Sequence, residues 1–332
     1  MVHALITSLR RKMKLPVISA PMFIVSNPLM AIAQCASGII GSVPALNARP
    51  QSKLDEWLTQ IDTALDELKK SDPTRVVAPY AVNQIVHQSN DRLMDDMAVC
   101  AEHKVPLIIT SLRAPNRVVE QVHDWGGIVF HDVTTLRHAR KALDAGVDGL
   151  ILVCAGAGGH AGTLSPFALL AEIRQIFDGP VALSGSITRG QDILAAQAMG
   201  ADFAYMGTRF IASDEANADA AYKRMLVDAN ASDILYTPFF TGIPGNYLVP
   251  SIVAAGLDPS ELQISAAGTP TFGKERKPWR DIWGAGHGVG SIDAISSVSH
   301  IVERLEHEYH AAWQSLDTVV SIQTILSEES AC

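Results

Sequence analysis

A repeated alternation of short apolar runs and helix-period segments is the feature of this sequence that most constrains its fold. Eight aliphatic runs are typical of buried strands, and segments with the periodicity of amphipathic helices separate many of them. Eight βα units predict an α/β fold in which a parallel sheet closes into a (β/α)8 TIM barrel. The predicted strands are Pro16–Ala20, Ile39–Val43, Arg75–Val82, Pro106–Thr110, Gly127–His131, Gly149–Val153, Pro180–Ser184 and Phe203–Met206. The predicted helices include Leu54–Lys69, Asp91–His103, Asn116–Trp125, Thr134–Ala145, Pro166–Phe177 and Gln191–Met199.

The rhythm stops after the eighth predicted strand. Residues 212–283 are irregular, partly helical and rich in proline, and we expect them to form an inserted lid or substrate domain. The barrel would then comprise residues 1–211 and 284–332, with Gly290–Leu326 as a helical tail that completes the outer ring. An open dinucleotide-binding sheet is disfavoured, because no GxGxxG motif follows the first strand and no acidic residue ends the second.

Composition narrows the possible partners and compartment. Hydrophobic residues make up 48% and charged residues 18% of the chain, and no apolar run approaches the roughly 20 residues that span a bilayer, so we expect a soluble protein. Basic residues follow the first short apolar stretch, which is the reverse of a signal peptide and predicts a cytoplasmic location. The net charge of -9 disfavours nucleic acid and membrane surfaces as partners, and the one basic cluster, Lys274–Arg280, is either a solvated loop or a contact.

Cysteines and histidines do not suggest a metal or disulfide site. The four cysteines form no CxxC pair, and the histidines near the end of the chain lack the spacing of a metal site with a third ligand. We therefore predict reduced thiols and no metal centre. The cysteines are Cys35, Cys100, Cys154 and Cys332, and the histidines are His300, His307 and His310.

Small residues after the seventh and eighth strands predict a phosphate site. Ser184, Gly185 and Ser186 precede a helix, and Gly207 and Thr208 end the eighth strand. Barrels often bind phosphate at this place, because backbone N–H groups and hydroxyls can approach the anion closely. Ordinary turn chemistry is the alternative for either segment alone.

A glycine-rich run, Cys154–Gly162, directly follows the sixth strand and presents one functional side chain, His160. Such a run can lie flat against a planar ligand. The alternative is a flexible loop whose histidine only bonds a neighbouring carbonyl. At the end of the fifth strand, His131 and Asp132 either reach a ligand or, for Asp132, cap the following helix, while His138 is expected at the surface.

These segments, in this order, resemble the nitronate monooxygenase family, formerly called 2-nitropropane dioxygenases. The family also includes a flavin-dependent NADH:quinone reductase and the FMN-containing enoyl-acyl-carrier-protein reductase. The resemblance covers nearly the whole chain. It is carried by Ala20-Pro21-Met22, Ala155–Gly162, Ser184–Ile187, Gly200-Ala201-Asp202, Met206–Phe210 and Trp283–Gly290.

The resemblance implies non-covalently bound FMN. It places backbone of the first strand end beside the isoalloxazine ring, Asn83 at the ring edge and the phosphate at the ends of strands seven and eight. His160 falls on the family's active-site histidine. The candidate cofactor-binding residues are Pro21, Met22, Phe23, Asn83, His131, Asp132, Ala157, Gly158, Gly159, Ser184, Gly185, Ser186, Met206, Gly207 and Thr208.

The implied reaction is oxidation of an alkyl nitronate. In the family the nitronate gives an electron to FMN, and reaction with O2 then releases a carbonyl compound and nitrite. His160 would stabilise the nitro group or abstract a proton from the neutral nitroalkane. Alternatives are an NAD(P)H-dependent FMN reductase of quinones or enoyl thioesters, and a flavin-free barrel isomerase or synthase acting on a phosphate-bearing substrate. A homodimer is a further expectation.

Three positions depart from the family pattern. Phe23-Ile24-Val25 stands where nitronate-oxidising members favour small, glycine-rich residues, which predicts a reshaped pocket beside the flavin. Ser186 occupies a position that is usually glycine. Several relatives carry a lysine near the end of strand five, where this chain has His131 and Asp132.

Overall fold

The computed structural model describes residues 2–262 and 281–329, without the side chains of residues 2–5 and 317–329. Its strands are β1 (Val17–Ser19), β2 (Gly41–Pro44), β3 (Tyr80–Val86), β4 (Leu107–Leu112), β5 (Ile128–Val133), β6 (Gly149–Val153), β7 (Gly159–His160), β8 (Val181–Ser184), β9 (Phe203–Met206), β10 (Ile234–Thr237) and β11 (Gly245–Leu248). Eight of them form one parallel sheet in the order β1-β9-β8-β6-β5-β4-β3-β2. The N–H of Ser19 donates to the Ile40 carbonyl at 2.8 Å, which joins β1 to the entry of β2 and closes the barrel. The predicted TIM barrel is confirmed.

Helices follow the strands as the periodicity predicts, with ends that differ by a few residues. They are α1 (Val2–Arg10), α2 (Pro28–Ala36), α3 (Lys53–Ser71), α4 (Leu93–Glu102), α5 (Asn116–Asp124), α6 (Leu136–Asp144), α7 (Pro166–Arg174), α8 (Gly190–Ala198), α9 (Thr208–Ile211), α10 (Ala220–Asp228), α11 (Val249–Ala254), α12 (Pro259–Leu262) and α13 (Val298–Glu329). Within the described residues, no helix combines the length and apolar character needed to cross a membrane.

Alternation along the strands divides the apolar residues into an inner and an outer layer. Ile18, Phe130 and Phe203 belong to the cluster inside the barrel, whereas neighbours such as Val129 pack outward against the helices. Successive side chains of a strand point to opposite faces of the sheet. The residue two positions after an inner-layer residue therefore faces inward again, at the open end of the barrel. The strands thereby decide which residues can line a site there.

The third strand lies further along the chain than predicted. The expected strand was Arg75–Val82, but β3 begins at Tyr80 and ends at Val86. Pro79 has no N–H to donate to a ladder, so the apolar residues before it lead into the barrel without pairing as a strand. Asn83 therefore lies within β3 rather than after the strand. It is paired there with Pro44 of β2 and with Ile109 of β4.

The segment after α9 forms a second, three-stranded antiparallel sheet. Strand β11 pairs with β10 on one side and with β7, which comes from the loop after β6, on the other. A small apolar cluster of this segment includes Leu235, Phe240 and Tyr247. Its status as a separate domain stays a prediction, and the basic cluster Lys274–Arg280 lies outside the described residues.

The predicted helical tail is present as α13 and covers the barrel. Val298, Ile301 and Leu305 are buried on its inner face. A side-chain carbon at Gly190 would lie 2.2 Å from the backbone nitrogen of Tyr309, so only glycine at the start of α8 lets α13 approach this closely. The Glu308 carboxylate also accepts the Gly190 N–H at 2.8 Å.

The described cysteines are unpaired and buried. Cys35, Cys100 and Cys154 form no disulfide, and burial raises the pKa of each thiol to about 12. They are therefore packing residues rather than nucleophiles. Cys332 lies outside the described residues.

Candidate functional site

A cavity of about 890 Å³ opens at the carboxyl ends of the barrel strands. Pockets for cofactors and small ligands have volumes on the order of 300–1,000 Å³, so this one has room for a cofactor together with a small substrate. Every candidate site residue named from the sequence lines it except His131 and Met206. The insertion contributes residues of its own, among them Tyr236, Ile243 and Pro244.

His131 and Met206 do not line the cavity, and strand alternation gives the reason. Asp132 follows the inward Phe130 by two residues and lines the cavity, whereas His131 points outward and lies 2.8 Å from the Thr110 hydroxyl through Nδ1. Burial, followed by the nearby His138, lowers the pKa of His131 to about 4. Met206 belongs to the outer apolar layer.

The glycine-rich loop after β6 is held against its neighbours by close backbone contacts. A side-chain carbon at Gly156 would lie 2.2 Å from the Ser186 hydroxyl oxygen, and one at Gly158 would lie 2.9 Å from the backbone nitrogen of Gly286. Gly156 and Gly159 also have positive φ angles, 87° and 67°. Glycine is therefore required for this packing. The segment Trp283–Gly290 also lines the cavity, at Gly284, Gly286 and Gly288.

His160 is presented to the cavity on a short strand rather than on a free loop. It pairs with Gly245 of β11, and its Nε2 lies 2.8 Å from the Thr241 hydroxyl. Burial lowers the pKa of the imidazole below its ordinary value, so the ring is neutral near pH 7. Thr241 was missed by sequence reasoning, because it lies 81 residues away in a segment without a regular pattern.

Further residues of the insertion fix the same loop. The Asn246 side chain donates to the Ala157 carbonyl at 2.7 Å, and the Tyr236 hydroxyl donates to the Ala161 carbonyl at 2.9 Å. A side-chain carbon at Gly245 would lie 2.8 Å from the Gly159 carbonyl oxygen. The insertion therefore shapes the site directly.

The ends of β8 and β9 form a narrow part of the cavity lined by small residues and hydroxyls. The Thr208 hydroxyl accepts the Gly286 N–H at 2.9 Å. Gly185 has a φ of 131° and Ser186 a φ of 57°, the left-handed region that favours glycine. This conformation explains why the family pattern has glycine at the position of Ser186.

A chain of polar side chains crosses the ends of β3, β4 and β5. The Asn83 amide donates to the Ser111 hydroxyl at 3.0 Å, and that hydroxyl donates to Oδ2 of Asp132 at 2.6 Å. Burial raises the pKa of Asp132 to about 6, and its Oδ1 is buried without a hydrogen-bond partner. Ser111 was missed, although it immediately follows the predicted fourth strand.

Asp132 does not cap the following helix. The N-cap of α6 is Thr135, whose side chain accepts the His138 N–H. His138, expected at the surface, is half-buried and lines the cavity, where its Nδ1 lies 3.0 Å from the Thr134 hydroxyl. Both corrections follow from the start of α6, which lies two residues later than predicted.

The loop after β1 contributes Pro21, Met22 and Phe23 to the cavity. The Asn47 side chain donates to the Met22 carbonyl and accepts the Ile24 N–H, each at 3.0 Å. Ile24 has a φ of 68°, which is strained for a β-branched residue. The departure from glycine-rich relatives therefore falls at a position where the backbone itself favours glycine.

Known proteins match this chain along nearly its whole length. The sequence matches the family described as nitronate monooxygenase over residues 6–308. Nitronate monooxygenase of Paraburkholderia phytofirmans is 27% identical over 287 residues, which cover 74% of this chain and 76% of that protein. Nitronate monooxygenase of Neurospora crassa is 26% identical, and the alignment covers 64% of each protein, slightly under two thirds.

Two solved structures have the same architecture. Nitroalkane oxidase from Streptomyces ansochromogenes is 25% identical and superposes with a TM-score of 0.70, covering 93% of this chain and 99% of that one. FabK from Thermotoga maritima is 24% identical with a TM-score of 0.76, covering 95% of this chain and 98% of that one. The second likeness concerns the fold alone.

Proposed function

The chain belongs to the nitronate monooxygenase family, and on that premise we propose that it is an FMN-dependent enzyme that oxidises alkyl nitronates with O2 to a carbonyl compound and nitrite. One observation carries the proposal. His160, on the glycine-rich loop, shares a single cavity with the small-residue ends of β8 and β9. A reactive side chain and a cofactor site therefore occupy one space.

The residues around the cavity fit FMN in three respects. The loop from Gly156 to Gly159 carries no side chain larger than that of Ala157, and it lines the cavity, so its backbone can lie against a planar ring. Ser186 and Thr208 offer hydroxyls for a phosphate at one end. At the other end, the unpartnered Oδ1 of Asp132 and the neighbouring Asn83 suit a polar ring edge. FMN would supply the electron acceptor and the reaction with O2.

His160 would act on the substrate through a neutral imidazole. A neutral ring can accept the proton of a nitroalkane, and its N–H can donate to an anionic nitro group. The contact between Nε2 and the Thr241 hydroxyl fixes the imidazole ring in the cavity. The ring therefore loses less orientational freedom when substrate binds. His160 is thus the candidate catalytic residue and Thr241 a positioning residue.

Apolar side chains line the rest of the cavity and suit an alkyl group. Phe23, Leu112, Leu164 and Ile243 all line it and are more than a third exposed, and apolar surface gathered in one cavity is typical of a ligand-binding site. They would contact the carbon chain of the substrate and exclude water from it. An alkyl nitronate combines the two groups that this cavity accommodates, an anionic head and an apolar chain.

Anaerobic mixing of the purified protein with its candidate electron donors tests the proposal. We expect FMN to be released on denaturation, and we expect an alkyl nitronate to bleach the flavin absorption band while NADH and NADPH do not. Bleaching by a nicotinamide and not by the nitronate would identify a reductase instead. A protein without any flavin band would contradict both activities.

A further inference from the structure

Asp132 is the one carboxylate that lines the cavity within the described residues, and its environment is unusual. Ser111 satisfies Oδ2, but Oδ1 is buried with no hydrogen-bond partner and the carboxylate forms no ion pair with a described residue. A buried oxygen left without a hydrogen-bond partner destabilises the fold unless a ligand supplies the missing partner. A hydrogen bond from a bound ligand to Oδ1 would explain this arrangement.

A structural role does not account for the position. The cap of α6 is Thr135, and the barrel core beneath Asp132 is completed by Phe130. The hydrogen-bonded chain from Asn83 through Ser111 holds the carboxyl in one orientation without satisfying Oδ1. Oδ1 of Asp132 thus remains without a hydrogen-bond partner among the described residues.

We propose that Asp132 is the residue that sets the reduction potential of the flavin in this enzyme, through Oδ1 at the polar edge of the ring. The inference rests on the proposed FMN site. Electrons added to the ring bring negative charge, and a carboxylate at hydrogen-bond range disfavours that charge or takes up a proton in response. Asn83 and Ser111 act as positioning residues for it.

Five other titratable side chains of the described residues line the cavity: Tyr205, Tyr222, Tyr236, His138 and His160. Tyr205 reaches it from β9, and its pKa is raised well above the usual range by burial and then by Asp132. His138 lines it from α6 with a pKa lowered by burial and by Arg137, and His160 lines it from β7. Because the Asp132 carboxyl titrates near pH 6, it is the acidic group among these that changes charge between pH 5 and 7.

The test is the midpoint potential of the bound flavin, measured by equilibration with redox dyes and without nitronate. We expect Asp132→Asn to raise the potential by at least the equivalent of a tenfold change in the reduction equilibrium, which is about 30 mV for two electrons. Its potential should also depend less steeply on pH between 5 and 7. Asp144→Asn, at an exposed residue at the end of α6, removes the same charge and should leave the potential unchanged.

An Asp132→Asn protein that binds FMN with an unchanged potential would overturn the proposal. If that variant does not bind FMN, the native protein decides the question, since a potential with the pH dependence of free FMN overturns it as well. Ser111→Ala gives a further check, because it keeps the carboxyl and should shift the potential less than Asp132→Asn. A flavoprotein that does not oxidise nitronates would contradict the proposed function and leave this measurement valid.

Discussion

The barrel loops and the inserted segment build the same cavity by different means. Contacts of the barrel loops depend on glycine, and a side-chain carbon at Gly156 or Gly158 would collide with neighbouring atoms. The insertion contributes individual hydrogen bonds, one between Thr241 and His160 and one from the Asn246 side chain to the Ala157 carbonyl. The first region thus depends on the absence of side chains for its close packing, whereas the second adds side chains that hold the loop in place.

This difference separates two kinds of defect. Side chains added at the glycines of the barrel loops should weaken cofactor binding, because they alter the shape of the surface against which the ring would lie. Changes in the insertion should reduce turnover and leave the cofactor bound, because they act on the orientation of His160.

Substitution of His160 should have the largest effect on turnover. His160→Asn removes the group that accepts or donates the proton, and loss of such a group lowers kcat by roughly 10²–10⁴-fold. FMN should remain bound, because the glycine surface is unchanged. Steady-state kinetics with a nitroalkane, together with the flavin content, measure both effects. His300→Asn on α13 is the control, and loss of FMN in His160→Asn would show a structural role instead.

Addition of one methyl group at Gly158 should affect the cofactor rather than the chemistry. In Gly158→Ala the new carbon would lie 2.9 Å from the backbone nitrogen of Gly286. Overpacking of this kind raises the free energy of the native loop arrangement by about 1–3 kcal/mol. We expect FMN to bind roughly ten- to a hundredfold more weakly, as measured by fluorescence titration. Gly290→Ala, whose nearest atom would be at 3.4 Å, should bind FMN normally. Equal affinities in the two variants would contradict the role given to the glycine surface.

Removal of the Thr241 hydroxyl tests the insertion alone. Thr241→Val keeps the shape of the side chain but cannot accept a hydrogen bond from His160, so we expect kcat to fall about tenfold, the effect of about 1.4 kcal/mol. FMN affinity should not change, and Thr241→Ser should restore most of the activity. Thr63→Val on the exposed face of α3 is the matched control. A loss of FMN in Thr241→Val would remove the distinction between the two regions.

Sequence patterns predicted the barrel well and the site in part, for physical reasons. Local periodicity reports the strands, and glycine runs report close backbone contacts, so β6, Gly158 and His160 were all found. Whether His131 or Asp132 lines the cavity depends on which face of β5 points into the barrel. Apolar residues occur on both faces of this strand, so the sequence does not reveal the inward face. Contacts such as Thr241 with His160 depend on tertiary pairing of β7 with β11, for which a single sequence carries no local signal.

The smallest predicted effect concerns strain, which also separates the two regions. In the described residues, the positive-φ positions other than glycine are Ile24, Lys104, Leu112 and Ser186, all in the barrel part. Ile24 and Ile176 are both 37% exposed, so Ile24→Gly and Ile176→Gly lose similar buried surface, but only the first also relieves a strained backbone. We expect both variants to lower the free energy of unfolding in urea denaturation. Ile24→Gly should lower it by about 1 kcal/mol less than Ile176→Gly, which has an ordinary φ. If both variants lost stability equally, the strain at Ile24 would have no measurable effect, and the barrel loops would differ from the insertion only in their glycines.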